Sequence, residues 1–323
     1  MKKFFKYLSL FIVIVVVVFA LGPRPDANDT ITFSPDTIGD DLSAYLSKVE
    51  ADIPNLTPGA EKEVIWYDPA TKAKTPISIV YLHGFSATKY ETRPVADNVA
   101  QQLGANLFYT RFKGHGRDGP GLADTSVQDW SNDYAEAIAI GERIGEKVLL
   151  MATSNGGLIT TWGLSKPELA NNVMGVVFAS PNFELRSLPT WLANIPWAET
   201  ILPAVAGDHY SWEASNPDHD KWWTTAYPSK AIFPMTSMLK LVKDIDKSKI
   251  NIPALFFYSP EDLVVVPAEI EAVANQWGGS VEIEKVEETT DKSKHVIMGD
   301  ILSPENTAPA TVRIVEWAKS LEN

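Results

Sequence analysis

From residue 61 onward the chain alternates short apolar runs with stretches of helical spacing, and few folds accept that rhythm. Strand signals fall at 64–67, 77–82, 106–109, 148–152, 173–179, 254–258 and 281–286. Between them, Val95, Val99 and Leu103 follow Pro94 at helical spacing, and Trp130, Tyr134, Ile138 and Ile144 form a second helix face. A last helix places Ile314, Val315, Ala318 and Leu321 together, with Thr307 expected as its N-cap. Strands joined through helices predict a mostly parallel central sheet flanked by helices on both sides, an α/β class. The rhythm breaks once, at 183–250, a segment that holds five of the ten tryptophans. Interrupting the sheet between two strands, it is expected at the sheet's edge as an inserted cap, or lid. The core is then 61–182 with 251–323, preceded by a polar leader at 23–60 with one short helix at 42–51.

Composition removes several classes of function. The 323 residues are 45% hydrophobic and 21% charged, the balance of a folded body. Setting aside the cations Lys2, Lys3, Lys6 and Arg24, the net charge of −13 becomes −17 on the rest. A surface that acidic repels phosphate backbones and argues against nucleic-acid binding. The chain has no cysteine, so disulfides, thiolate metal sites and a cysteine nucleophile are excluded. No cofactor is signalled.

The first 22 residues read as a targeting segment. Lys2, Lys3 and Lys6 precede an apolar run at 7–21 broken only by Ser9. As a helix this run would span about 22 Å, short of the roughly 30 Å hydrocarbon core. Val18, Phe19 and Ala20 offer a cleavage site, while the unbroken valines suit retention, so the segment reads as a signal peptide or as a single membrane anchor. Either way the lysines stay cytoplasmic, and the body is expected across the inner membrane, periplasmic, tethered or released.

The strongest chemical signal is Ala152-Thr153-Ser154-Asn155-Gly156-Gly157, directly after a strand and before a helix. A serine on a sharp strand-to-helix turn needs tiny residues two before and two after it, and Ala152 and Gly156 satisfy that. Upstream, an apolar strand ends in Leu82-His83-Gly84-Phe85, where the backbone N–H of Phe85 can face a developing oxyanion. The N–H of Asn155 would be the second donor. Downstream, Asp262 follows the 254–258 strand, and His295 follows the 281–286 strand. The order Ser154, Asp262, His295 suits this topology, with each residue beyond a strand's end, where the crevice of an open α/β sheet lies.

These residues resemble the α/β-hydrolase fold serine hydrolases, near the monoacylglycerol lipase and bacterial carboxylesterase branch. The likeness rests on L-H-G-F at 82–85, G-H-G at 114–116, S-N-G-G at 154–157, S-P-E-D-L-V-V at 259–265 and H-V-I at 295–297. It implies Ser154 as nucleophile, His295 as base and Asp262 as orienting acid, with Phe85 and Asn155 supplying the oxyanion hole. Ala152 replaces the usual first glycine, and Asn155 brings a polar side chain beside the nucleophile. The implied activity is hydrolysis of short- to medium-chain acyl esters, monoacylglycerol and lysophospholipid among them. The same triad also serves acyltransferases, thioesterases and amidases, and a non-catalytic binding protein on the same fold is the reading from another class. A dehalogenase is disfavoured, since that chemistry needs a carboxylate where Ser154 stands.

Other polar residues are read more plainly. Glu261 is the rival to Asp262 for the acid. His83 and His115 are expected to shape loops. Asp208-His209 and Asp218-His219-Asp220 lack metal-ligand spacing and read as a solvated polar edge, so no metal site is assigned. Most tryptophans of the insertion are expected to pack, with one or two lining an acyl pocket.

Overall fold

In the computed structural model, which describes residues 2–321, strands form in chain order as β1 (Glu63–Ile65), β2 (Thr75–Leu82), β3 (Asn106–Tyr109), β4 (Gly145–Thr153), β5 (Val173–Ala179), β6 (His209–Ser211), β7 (Ala226–Pro228), β8 (Ala254–Tyr258) and β9 (Val281–Lys285). Seven of them join one sheet in the order β1-β3-β2-β4-β5-β8-β9, and β6 with β7 makes a separate antiparallel pair. Only β1 runs antiparallel in the large sheet, against β3; every other pairing is parallel. This is the mostly parallel, helix-flanked sheet of an α/β-hydrolase. The register sets Leu82 beside Ala152, Thr153 beside Ala179 and Ala179 beside Phe257, so β2, β4, β5 and β8 end at one crevice.

Both sheet faces are buried, which is why the strands read as continuous apolar runs. Val80, Leu82, Leu150, Ala152, Phe178 and Phe256 point into one core, shared with Trp130, Tyr134, Leu158 and Trp162. Ile79, Tyr81, Leu149, Met151, Val177 and Phe257 alternate with them into the other, against Val95, Val99, Ile314 and Trp317. The helix Val127–Ile144 starts at a capping box: Ser126 Oγ accepts from Asp129 N–H at 3.2 Å, and Asp129 accepts from Ser126 N–H at 2.9 Å. The final helix, Thr307–Ser320, corrects the expectation for its cap. Asn306 stands at that position without a side-chain capping bond, its amide donating instead to the Glu288 carbonyl at 2.8 Å, while Thr307 begins the helix and donates its hydroxyl to Asp300 at 2.8 Å.

The 183–250 segment leaves the sheet after β5 and returns through β8, its direct neighbour. Two parallel neighbours need a crossover, and Phe233–Lys243 supplies it, burying Met235, Met238, Leu239 and Val242 in the sheet core. The helices Thr190–Ala193, Ala198–Ala206 and Pro217–Trp222 and the β6/β7 pair belong to the same excursion.

The polar leader is fastened across the body. Asp29 accepts from the Trp162 indole at 2.8 Å and from Lys166 at 3.1 Å, and Glu50 meets Arg111 with both oxygens, at 2.8 and 3.0 Å. At the N-terminus, the helix Lys2–Ala20 is longer than the apolar run, because the lysine-bearing turn continues in register. At 19 residues it spans about 28 Å, long and apolar enough to cross a membrane. Its side chains from Lys3 onward are exposed, and its Val18 carbonyl accepts from the Trp197 indole at 3.2 Å.

Phe178, with no exposed surface, stacks on Phe256 at 4.8 Å and meets Trp277 edge-on at 5.6 Å. Phe178→Ala is therefore expected to cost about 3–5 kcal/mol, read from the urea unfolding midpoint. A loss below about 1 kcal/mol would show that this aromatic stack does not hold the sheet to its helices.

Candidate active site

β4 ends at Thr153, and Ser154 turns the chain into the helix Asn155–Leu164 with φ 50° and ψ −114°. A side chain at positive φ is strained, and the turn holds only because its neighbours approach closely. A methyl group on Gly156 would lie 2.1 Å from the Leu82 carbonyl oxygen, and one on Gly157 would lie 2.8 Å from Pro181. The Ser154 N–H donates to the Ala179 carbonyl at 3.0 Å, and the Ser154 carbonyl accepts from Asn182 N–H at 3.0 Å. The turn is thus clamped between β2 on one side and the end of β5 on the other.

Three sequence-distant residues meet there. Ser154 Oγ lies 2.9 Å from His295 Nε2, and His295 Nδ1 lies 2.7 Å from Asp262 Oδ2. Asp262 has no exposed surface, and its other oxygen accepts from the N–H groups of Val264 and Val265 at 2.7 and 2.9 Å. Those bonds fix the carboxylate, so Nδ1 carries the proton and Nε2 faces the serine as acceptor. Burial pulls the His295 pKa down, but the Asp262 charge and hydrogen bond outweigh it, and the net displacement is upward from the ordinary histidine value. Glu261, the rival acid, is exposed, and the geometry brings Asp262 to the imidazole instead.

Phe85 lines the same cavity as Ser154, and Asn155 follows Ser154 directly in the chain. Asn155 is the first residue of its helix, where N–H groups have no helical carbonyl to reach. Its side chain is fully buried, and among the described residues neither amide atom finds a hydrogen-bond partner. Phe85 follows Gly84, whose N–H is held by the buried Glu91 carboxylate at 2.7 Å. His83 is a fastener: its Nε2 accepts from Phe112 N–H at 3.1 Å, and its Nδ1 donates to the Gly84 carbonyl at 2.9 Å. Burial pushes its pKa down to about 4, so it stays neutral. His115 packs on it, ring centroids 4.8 Å apart.

The serine and histidine open onto a cavity of about 790 Å³. Leu185, Leu188, Leu202, Ile232, Phe233 and Met235 give it an apolar wall, and Trp212, Trp223 and His219 lie on its polar side. His219 corrects the solvated-edge expectation. Asn216 caps the short helix by accepting from His219 N–H at 2.9 Å, which turns the ring inward, between Trp212 at 4.8 Å and Trp223 at 4.6 Å. Asp208 and His209 do lie exposed, bonded to each other at 3.0 Å.

Two buried acids escaped the sequence reading. Asp291 accepts from the N–H groups of His295 and Val296, both at 2.9 Å, and so holds the histidine loop. Glu91 lies behind Gly84. Asp291 acts within its own loop, on residues four and five further on, and Glu91 acts on the Gly84 N–H and the Tyr81 hydroxyl, pairings that only the folded loops display.

If His295 takes the Ser154 proton it must be neutral, so reaction with a fluorophosphonate should fall as pH drops through the raised histidine pKa, with a midpoint higher than that of an ordinary histidine. Asp262→Asn should slow labelling at least about 100-fold by favouring the wrong tautomer, whereas Glu261→Gln should stay within about twofold of wild type. The reverse pattern would assign the acid to Glu261.

The family model described as serine aminopeptidase, S33, matches residues 73–301. A thermostable monoacylglycerol lipase of Bacillus sp. (strain H-257) is 23% identical over 206 residues, covering 64% of this chain and 78% of the relative. Among solved structures, one from a study of the metagenome-derived lipolytic enzymes LipS and LipT superposes with a TM-score of 0.67 at 19% identity, covering 82% of this chain and 99% of that one. The monoacylglycerol lipase of Paleococcus ferrophilus gives 0.57 at 18% identity, with 80% and 98% covered. Those two likenesses establish the fold, and the family match spans most of the chain. The chain belongs to the serine aminopeptidase S33 family of α/β-hydrolases and is a serine hydrolase.

Proposed function

We propose that the protein is a carboxylic ester hydrolase working through an acyl-Ser154 intermediate. The observation that carries this is the unbroken hydrogen-bond chain Ser154–His295–Asp262 at the wall of an apolar cavity. As Ser154 Oγ attacks the ester carbonyl, His295 Nε2 takes its proton, and Asp262 holds the imidazole and stabilises the imidazolium. The carbonyl oxygen becomes an oxyanion that accepts from the backbone N–H groups of Phe85 and Asn155, each donor worth roughly 3 kcal/mol of barrier. Collapse breaks the ester C–O bond, and His295 returns its proton to the departing alcohol. Water then attacks the acyl-enzyme by the same route, giving the acid and free Ser154.

The cavity supports a substrate class. Its volume lies within the roughly 300–1,000 Å³ of small-ligand sites, and the leucines and Met235 suit a hydrocarbon chain. We assign short- to medium-chain acyl esters, with monoacylglycerol and lysophospholipid as the natural types, and treat 183–250 as the cap over the acyl chain. The likeness to monoacylglycerol lipases supports a lipid ester. The basic first turns of the Lys2–Ala20 helix, and the length of that helix, favour a body held at or released from the outer face of the inner membrane.

Initial rates of the full-length chain on p-nitrophenyl esters of rising acyl length, with Ser154→Ala as control, test the reading. The expected result is a Ser154-dependent rate with an optimum at short to medium chains, falling at least about 10⁴-fold in the variant. If every ester stays at the control rate while amides or thioesters turn over, the triad serves one of those chemistries instead.

A further inference from the structure

Glu91 closes the one-turn helix Lys89–Glu91 that follows the Phe85 loop. It is 2% exposed, yet among the described residues no cation lies within ion-pair distance of it. Its neighbours turn away: Lys89 pairs with Glu63 at 2.7 Å, and Arg93 pairs with Asp97 at 3.0 Å. One carboxylate oxygen, Oε2, accepts from the Gly84 N–H at 2.7 Å and from the Tyr81 hydroxyl at 3.3 Å. That hydroxyl also lies 3.2 Å from Oγ1 of Thr153, the residue before the nucleophile. The other oxygen, Oε1, sits 2.6 Å from where a methyl group on Gly84 would stand, and the same point is 3.1 Å from Ser154 Cβ. Glu91 also lines the cavity with Ser154 and His295. A buried acid without a cation, placed against the reacting serine, is costly for stability and calls for a reason.

We propose that Glu91 is a positioning residue for this hydrolysis: it fixes the His83–Gly84 peptide, the one before the peptide that carries the Phe85 N–H, relative to the strand that carries Ser154, and its charge supports the imidazolium formed on His295. The proposal rests on the ester-hydrolase reading above. A Cβ at 84 would stand 2.6 Å from the carboxylate and 3.1 Å from Ser154 Cβ, so glycine fits there, and its backbone is held by its neighbours. The charge-assisted bond from Glu91 fixes the Gly84 N–H, His83 Nδ1 donates to the Gly84 carbonyl at 2.9 Å, and between the two the Phe85 N–H stays directed for an oxyanion.

The electrostatic part follows from what faces the carboxylate. Tyr81 reaches it from β2, with Thr153 and Ser154 on the β4 turn and His295 on the loop after β9, behind which lie Asp262 and Asp291. The Tyr109 hydroxyl is turned onto Asp97. His295 is therefore the one facing group in this set that gains positive charge during the reaction. Burial pushes the Glu91 pKa up to about 7, and the Gly84 bond and His295 pull against that rise. In return, a charged Glu91 adds to Asp262 in raising the His295 pKa.

The test compares wild type, Glu91→Gln and Glu91→Asp as full-length chains on p-nitrophenyl butyrate, with kcat and KM measured from about pH 5 to about pH 9. Glutamine keeps an acceptor for Gly84 and removes the charge; aspartate keeps the charge but is one methylene too short to reach. Glu91→Gln should lower kcat about 10- to 100-fold with KM within about threefold, and should move the acid limb of kcat/KM to lower pH. Glu91→Asp should lower kcat while leaving that limb in place. A Glu91→Gln enzyme within about twofold of wild type overturns the proposal, as does a rate loss with an unmoved limb, which would reduce Glu91 to a loop fastener. Fluorophosphonate labelling of Ser154 separates the two claims. An unlabelled wild type sinks the hydrolase reading and this one with it, whereas a labelled wild type with an indifferent Glu91→Gln sinks this one alone.

Discussion

The helix after Ser154 begins so close to β2 that a single methyl group on Gly156 would lie 2.1 Å from the Leu82 carbonyl oxygen, and the site is organised around that approach. It forces the serine into positive φ and lifts its side chain clear of the sheet. It also brings the end of β2, with Gly84, alongside Ser154. Parallel pairing does the rest: β4, β5 and β8 end at one level, and the turn after β8 delivers Asp262 there. The sheet is buried on both faces, so this geometry is held by packing on both sides.

Backbone N–H groups do most of the orienting. Asp262 is fixed by two N–H bonds from its own turn, Asp291 takes two from the histidine loop, and Glu91 takes one from the oxyanion loop. Each acid is buried, and each holds a loop whose conformation its own sequence does not dictate. The body's net negative charge thus has a local counterpart at the site, where carboxylates outnumber cations and the imidazole is the group that benefits. Such an environment favours a positively charged His295 in the transition state, which is what serine attack requires.

The fold was largely legible because strand and crossover signals are local. Residues 106–109, 173–179 and 254–258 form strands at the boundaries the pattern predicts, Ser154 directly follows β4, Asp262 lies in the turn after β8, and His295 lies in the longer loop after β9. What stayed hidden depends on three-dimensional partners. Glu91 reaches back to the Gly84 N–H, and Asp291 gathers N–H groups of its own loop, so the role of each depends on a loop conformation. His219 looked solvated between two aspartates, but the Asn216 cap turns it inward against Trp212 and Trp223. Thr307 had the composition of a cap, yet the helix starts on it, and its hydroxyl serves Asp300. In each case a side chain with two plausible partners took the one that the tertiary structure made available.

The central claim is that Ser154 becomes acylated. The most direct measurement is rapid acid quench of the full-length protein during turnover of a p-nitrophenyl ester, followed by intact mass and peptide mapping. One acyl group per chain is expected, located on the Ser154 peptide and absent from Ser154→Ala and from enzyme that has exhausted its substrate. Turnover with the acyl group on another residue, or turnover that persists in Ser154→Ala, would contradict it.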